Sequence, residues 1–307
     1  MGENTKAVIG HLASAGAYTI FAFNIIICKE IANAEVVTPL ALFTLRALGA
    51  TILFWLFSLF IPKEKIERKD FKYILIASLL GLLIPQITFL SAITITTTID
   101  TSILTSLSPI MTMIIAAIFL KEPITWKKSS GVMLAFGGVL LLIFNSLSMA
   151  TGGVYQTSPA GIMLMLLNSL SFALYLGVFR PLISRYHVFT FMKWMFLISL
   201  LISLPIAWHD IHSINVADLK INIVSEILYV IVFATFIAYW LIPIGQKNIR
   251  PTLVSMYSYL QPILGVIISI CIGMDVLTWQ KIVSVLAVFT GVALVNNSKA
   301  AKQYQGH

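Results

Sequence analysis

Residues 129–179 contain no Asp, Glu, Lys or Arg, and neither do residues 73–99, 101–120, 227–246 or 252–274. A helix crossing about 30 Å of hydrocarbon needs roughly 20 apolar residues, and each of these stretches supplies them. A barrel strand would instead alternate apolar and polar positions over about 10 residues. The runs are aliphatic throughout, so they predict helices. Composition agrees: of 307 residues, 59% are hydrophobic and 10% charged, where a soluble domain carries about 25% charged residues. A soluble enzyme or a disordered binder is excluded on these grounds. The chain reads as an all-α integral membrane protein.

Charges, prolines and turn residues divide the chain into ten expected spans: 7–28, 38–61, 72–93, 98–120, 126–145, 160–180, 188–208, 224–246, 252–273 and 279–297. Pro39 and Pro159 suit first helical turns and Thr278 an N-cap. The longest links are 62–71, 145–159 and 209–223, too short for a separate soluble domain. Ten spans place both termini on one side. With the N-terminus inside, inner loops and tails hold fifteen Lys and Arg and outer loops three, namely Lys29, Lys220 and Lys281. The positive-inside rule therefore predicts an N-in, C-in orientation. It also accounts for the net charge of +8 without nucleic acid, since no basic patch interleaves with aromatics. Cys28 and Cys271 lie near helix ends in apolar sequence and read as packing residues.

The chain repeats itself. Residues 101–141 align without gaps on 254–294, and about a third of the pairs are identical. Pro109 falls on Pro262, Trp126 on Trp279, Lys128 on Lys281, Gly138 on Gly291 and Glu122 on Asp275. More weakly, Gly10, Phe21, Ala22 and Lys29 fall on Gly161, Phe172, Ala173 and Arg180. The expected division is a first five-helix repeat at 1–147, a linker at 148–158, a second repeat at 159–298 and a cytoplasmic tail at 299–307. Five is odd, so the second repeat enters the membrane from the opposite side. The halves are then related by a pseudo-two-fold axis in the membrane plane, an architecture of alternating-access transporters.

The stretch 92–141 resembles the EamA family of the drug/metabolite transporter superfamily. The resemblance rests on Ser108-Pro109, Leu120-Lys121-Glu122, Thr125-Trp126, Gly131 and Gly137-Gly138-Val139. The second copy reads Gln261-Pro262, Gly273-Met274-Asp275, Thr278-Trp279 and Gly291-Val292, with Asp275 in place of Glu and Ser284 in place of Gly131. The resemblance implies a ten-helix carrier of the cytoplasmic (inner) membrane, often an exporter of amino acids and related metabolites. It also implies a central cavity built by helices 1, 3, 4, 6, 8 and 9.

Prolines at matching positions of two repeats point to a binding site. Pro109 and Pro262 each remove a backbone donor, free a carbonyl about a turn earlier and are expected as hinges. Thr101, Thr105 and Ser108 share a face before the first; Ser258 and Gln261, with Tyr257 beside them, precede the second. The intrahelical alternative is a hydroxyl bonded to its own backbone. Helix 6 offers Asn168, Ser171 and Tyr175 at i, i+3, i+7, and helix 1 offers Asn24. Gln86 falls on Tyr239, and each is either cavity-lining or an interhelical tie. Pro85 beside Gln86 is a further hinge or a static kink.

Intramembrane charge is sparse. Arg46 lies inside helix 2 with Lys193 its approximate counterpart on helix 7; each is a functional group or snorkels to the interface. Asp100 and His11 are the titratable groups nearest the membrane that suit ion coupling. Glu122 and Asp275 read as interfacial turn residues. No cofactor and no metal is expected. The expected partners are a small-molecule substrate and the lipid bilayer, with the protein a monomer or, through Ala287 and Gly291, a homodimer.

Other classes fit less well. His209, Asp210 and His212 form the one cluster of catalytic type, but they sit in a single loop, and the HEXXH and GxSxG motifs are absent. A channel wants rings of like charge or a filter loop, and neither is visible. A carrier or flippase of a lipid-linked or amphipathic substrate is the nearest alternative; Arg46 and Lys193 would favour it.

Overall fold

The computed structural model describes residues 3–96, 101, 104–149, 158–215, 219–271 and 278–298. Asp100, Asp275, most of the linker 148–158 and the tail 299–307 lie outside them. The described residues are helical, with no strand. The long helices are α1 (Glu3–Asn33), α2 (Pro39–Ser58), α3 (Arg68–Ile95), α4 (Ser108–Leu120), α5 (Trp126–Met149), α6 (Pro159–Val178), α7 (Val188–Ile206), α8 (Ile221–Asn248), α9 (Pro251–Met256, continuing into Leu260–Cys271) and α10 (Trp279–Asn296). Among the described residues, seven of these helices are long and apolar enough to cross a membrane: α1, α2, α3, α6, α7, α8 and α10.

Local sequence sets the helix starts. Thr38 and Ser158 cap α2 and α6, accepting from the N–H groups of Ala41 and Ala160 at 3.2 and 3.3 Å, and a proline follows each cap. Thr125 accepts from Lys128 N–H at 3.2 Å ahead of α5. Thr278 precedes α10 in extended conformation. Large apolar side chains such as Leu12, Ile52, Ile118, Met163 and Leu286 cover the outside, as a lipid-facing surface requires. Trp126 and Trp279, equivalent residues at the starts of α5 and α10, are 91% and 69% exposed, the placement of interfacial aromatic anchors.

The packing repeats with the sequence. α1 packs along α8, and α6 packs along α3. A side chain on Gly10 would strike Asn248 and Ile249; one on Gly161 would strike Ile95 and Thr96, the residues 153 earlier. Lys29 Nζ donates to the Ile93 carbonyl at 2.7 Å, and Arg180 Nε donates to the Gln246 carbonyl, again 153 later, at 2.6 Å. These cations satisfy carbonyls at the ends of α3 and α8. Gly10 shares its end of the bundle with the C-terminus of α8, and Gly161 shares its end with the C-terminus of α3. Equivalent contacts therefore sit at opposite ends of the molecule.

Two further pairs run across the axis between the halves. Gln86 Nε2 donates to the hydroxyl of Tyr239, its own counterpart. On α5 and α10, Gly138 packs against Ser284 and Ala287, while Gly291 packs against Gly131 and Ala135. The small residues of α10 thus pack against α5 within the chain.

Helices α3 and α8 both widen to π geometry, over Leu79–Leu83 and Val230–Ile237, and these stretches coincide at the repeat offset. Single π turns often mark functional sites. The expected mid-helix prolines prove to be restart points. Helical turns at 101 and 104–105 give way to a turn at 106–107, and α4 restarts at Ser108 with Pro109 in its first turn. In α9, a 3-10 turn over Tyr257–Tyr259 precedes Leu260, with Pro262 just beyond. A proline cannot donate to the carbonyl four residues back, so the backbone tightens before it.

Candidate functional site

Side chains of α1, α3, α4, α6, α8 and α9, with residues just before α4, line a half-open cavity of about 90 Å³ between the helices. That is room for several waters. Its walls come from Tyr18, Phe21, Asn24 and Ile25 of α1, Pro85, Gln86 and Phe89 of α3, Thr105 and Ser108 around the start of α4, Asn168, Ser169 and Phe172 of α6, Tyr239 of α8, and Ser258 and Gln261 of α9. Both repeats contribute, and the Gln86–Tyr239 pair spans the space.

The lining is partly satisfied and partly not. Asn168 Nδ2 donates to the Pro85 carbonyl at 2.6 Å, and Ser169 Oγ to the Leu104 carbonyl at 3.2 Å. Four lining atoms are buried with no hydrogen-bond partner among the described residues: Tyr18 OH, Gln86 Oε1, Ser258 Oγ and Gln261 Oε1. A buried polar group without a partner is costly in a medium that offers none. Four such groups around one cavity mark it as a place for water or a polar solute.

Eight of the residues singled out from sequence line this cavity: Asn24, Gln86, Thr105, Ser108, Asn168, Tyr239, Ser258 and Gln261. Pro85, expected as a hinge, lines it as well. Four are placed elsewhere. Thr101 is buried with its hydroxyl 3.0 Å from that of Thr96. Ser171 Oγ donates to the Leu80 carbonyl at 2.9 Å, inside the π stretch of α3. Tyr175 lies under Gly81, where a Cβ would come within 2.7 Å of its ring, so only glycine fits. Tyr257 turns toward α1, its hydroxyl 2.8 Å from His11 Nδ1. The helix 6 face chosen from spacing is therefore chiefly the face against α3, supplying donors to the Leu80 carbonyl in the π turn and to the carbonyl of Pro85.

Sequence reasoning passed over Tyr18, Phe21, Ile25, Phe89, Ser169 and Phe172. A signal was present on α1, where Tyr18, Phe21 and Ile25 recur at i, i+3, i+7 around Asn24.

The charged residues fall into different roles. Glu122, expected at an interface, is buried and paired with buried Lys128; Thr252 Oγ1 donates to the same carboxylate oxygen at 3.2 Å. The reason is tertiary: α4, α5 and α9 converge there, and a lone carboxylate would not be tolerated. Arg46 is 1% exposed and does not snorkel; its Nε donates to Thr235 Oγ1 at 2.8 Å. Lys193 instead stands 4.8 Å over the Trp55 ring and 3.4 Å from Ser58 Oγ near the bundle's end. Asp210 accepts from Thr38 Oγ1 at 2.7 Å, which ties the start of α2 to the turn after α7. At the end where α1 begins, Asp70 accepts from Tyr186 OH at 2.8 Å and from Arg185, and Glu64 accepts from His187 N–H at 2.9 Å. No group of three or more His, Cys, Asp or Glu able to hold a metal occurs among the described residues.

The chain resembles known proteins along most of its length. It is 26% identical over 208 residues to an uncharacterized transporter of Archaeoglobus fulgidus, covering 67% of this chain and 70% of that protein. It is 22% identical over 242 residues to the uncharacterized transporter YyaM of Bacillus subtilis, covering 79% and 78%. A protein of known crystal structure shares the fold, with a TM-score of 0.71 at 13% identity over 95% of this chain and 96% of its own. The model of the EamA-like transporter family matches twice, at residues 8–144 and 159–297, and the chain therefore belongs to that family.

Proposed function

We propose that this transporter is a secondary carrier of a small polar metabolite, an amino acid or related zwitterion, and that it works by alternating access as an exporter. The observation that carries this reading is the central cavity, lined by both repeats, with four unpartnered polar atoms on its walls. The carrier sits in the cytoplasmic membrane as ten spans with both termini inside, a placement supported by the bias of Lys and Arg. Its halves form an inverted pair. The Gly10–Ile249 and Gly161–Thr96 contacts are equivalents at opposite ends, and both are made in this structure. Opening one at a time would expose the cavity to each side in turn. Pro109, Pro262 and Pro85, each beside a break or widening of its helix, supply the flexing points.

Cross-linking tests the reading. Ser158 N–H donates to the Ile95 carbonyl at 3.1 Å, so these positions are close enough for a disulfide. In a Cys28→Ala, Cys271→Ala background, the pair Ile95→Cys and Ser158→Cys is expected to stop flux on oxidation and to restore it on reduction. Full-rate flux through the oxidised protein would refute alternating access as stated.

A further inference from the structure

Arg46 carries an unused capacity. A guanidinium has five donors and stays charged at any ordinary pH. In Arg46, Nε is engaged, while both terminal nitrogens, Nη1 and Nη2, are buried with no partner among the described residues. Among the described residues, the titratable side chains that neighbour it are Cys28 and Tyr239, neither a carboxylate. A buried cation left unpaired is strongly unfavourable, so such a residue persists where something else completes it.

Its position says where that partner would come from. Tyr239 lines the central cavity. Cys28 lines a separate crevice between the C-terminal ends of α1 and α3 and the start of α2, and Leu42, one turn from Arg46, lines it too. Arg46 itself lines neither space, and its neighbours on the two sides place it in the partition between crevice and cavity. Its Nε is held by Thr235, whose hydroxyl in turn donates to the Val230 carbonyl at 2.7 Å inside the π stretch of α8. With Nε fixed, the free edge is the Nη1/Nη2 fork, which matches a carboxylate end-on.

We propose that Arg46 is the docking point for a carboxylate of the transported solute, reached when the partition between crevice and cavity opens. This deepens the carrier reading and rests on it. A single cation here suits a single negative charge; Lys193, the approximate counterpart of Arg46 on α7, stands against Trp55 instead. The unpartnered oxygens Gln86 Oε1 and Gln261 Oε1 in the cavity are acceptors suited to an ammonium group. The preferred class is thus a zwitterion, with its acid on Arg46 and its amine among the glutamines.

The test uses the full-length protein in nanodiscs and proteoliposomes. The probes are a panel of free α-amino acids, the same compounds as α-carboxamides, and inorganic phosphate. Thermal stabilisation and counterflow are read for wild type, Arg46→Gln and Arg46→Lys. Wild type is expected to favour acids over carboxamides by about tenfold, as a charged hydrogen bond implies. Arg46→Gln should lose that preference, and Arg46→Lys should keep part of it. Arg46→Gln should also unfold no earlier than wild type without solute, since it removes an unpaired charge. If the variant does not fold, the wild-type comparison of acid with carboxamide decides alone. Equal response to both forms, preference retained in Arg46→Gln, or stabilisation by phosphate alone would overturn the carboxylate site. Flux of carboxamides as fast as acids would leave the carrier reading standing without it; no flux of any probe would remove both.

Discussion

Gly137 and Gly138 are neighbours on α5 with opposite surroundings. A Cβ added at Gly137 meets nothing within 4 Å, whereas one at Gly138 would lie 2.8 Å from the Ser284 carbonyl oxygen and 3.0 Å from Ala287 Cβ. Ordinary carbon contacts lie at about 3.5–4.0 Å. The closest atom is backbone, so no rotamer change relieves the clash, and α5 and α10 must separate. Overpacking of this kind costs about 1–3 kcal/mol. Against it stands the gain in helix propensity from Gly to Ala, about 1 kcal/mol, which applies at both sites. Gly137→Ala should therefore be neutral or stabilising by up to about 1 kcal/mol, and Gly138→Ala destabilising by up to about 2 kcal/mol. At about 2–4 °C per kcal/mol, Tm followed by intrinsic fluorescence in detergent should rise by up to a few degrees for the first and fall by up to several for the second. Equal Tm values, or a more stable Gly138→Ala, would refute the claim that α5 and α10 pack in direct contact at Gly138.

Breaking the buried Glu122–Lys128 pair by Glu122→Gln or Lys128→Met alone should cost about 3–5 kcal/mol. The double variant Glu122→Leu, Lys128→Met should lose less than either, and a Tm for the double below both singles would contradict this. Stability should also depend on His187, whose imidazole is held below its ordinary value by burial and by nearby Lys247. The unfolded chain then takes up the proton first, so His187's contribution is complete above about pH 6.5 and declines as pH falls through that value. Between pH 7.5 and 5.5, the Tm of wild type should therefore fall further than that of His187→Gln; parallel declines would show that His187 is not responsible.

The sequence made the class of fold legible because spanning helices are a matter of run length, and charge-free runs of that length have few other uses. The repeat was legible for a similar reason. Pro109 and Pro262, Gly138 and Gly291, and Trp126 and Trp279 are residue types with backbone or interfacial roles, so they persist in both copies. Eight of the twelve expected lining residues meet at one cavity because helical spacing fixes which positions share a face. Spacing does not say which neighbour that face meets. Ser171 and Tyr175 share a face with Asn168, yet they meet α3 below the cavity, where Gly81 and the π turn make space for them. The π turns themselves have no residue signature here; they show only once the two helices are compared at the repeat offset. Glu122 lies in the turn between α4 and α5, as expected, but its burial was not legible, because that depends on α9 closing over the pair, a contact 130 positions distant in the chain.

The central claim is that a solute is bound between the two repeats and moved. Counterflow in proteoliposomes, with a mixed panel of amino acids, purines and small organic acids, tests it most directly. Wild type would be compared with Ser258→Ala plus Gln261→Ala and with Ser130→Ala, an exposed control away from the cavity. The account predicts saturable flux of one solute class that is lost in the cavity variant and kept in the control. Full flux in a folded cavity variant would contradict it. Absence of soluble-solute flux in folded wild type would turn the search to a lipid-linked substrate.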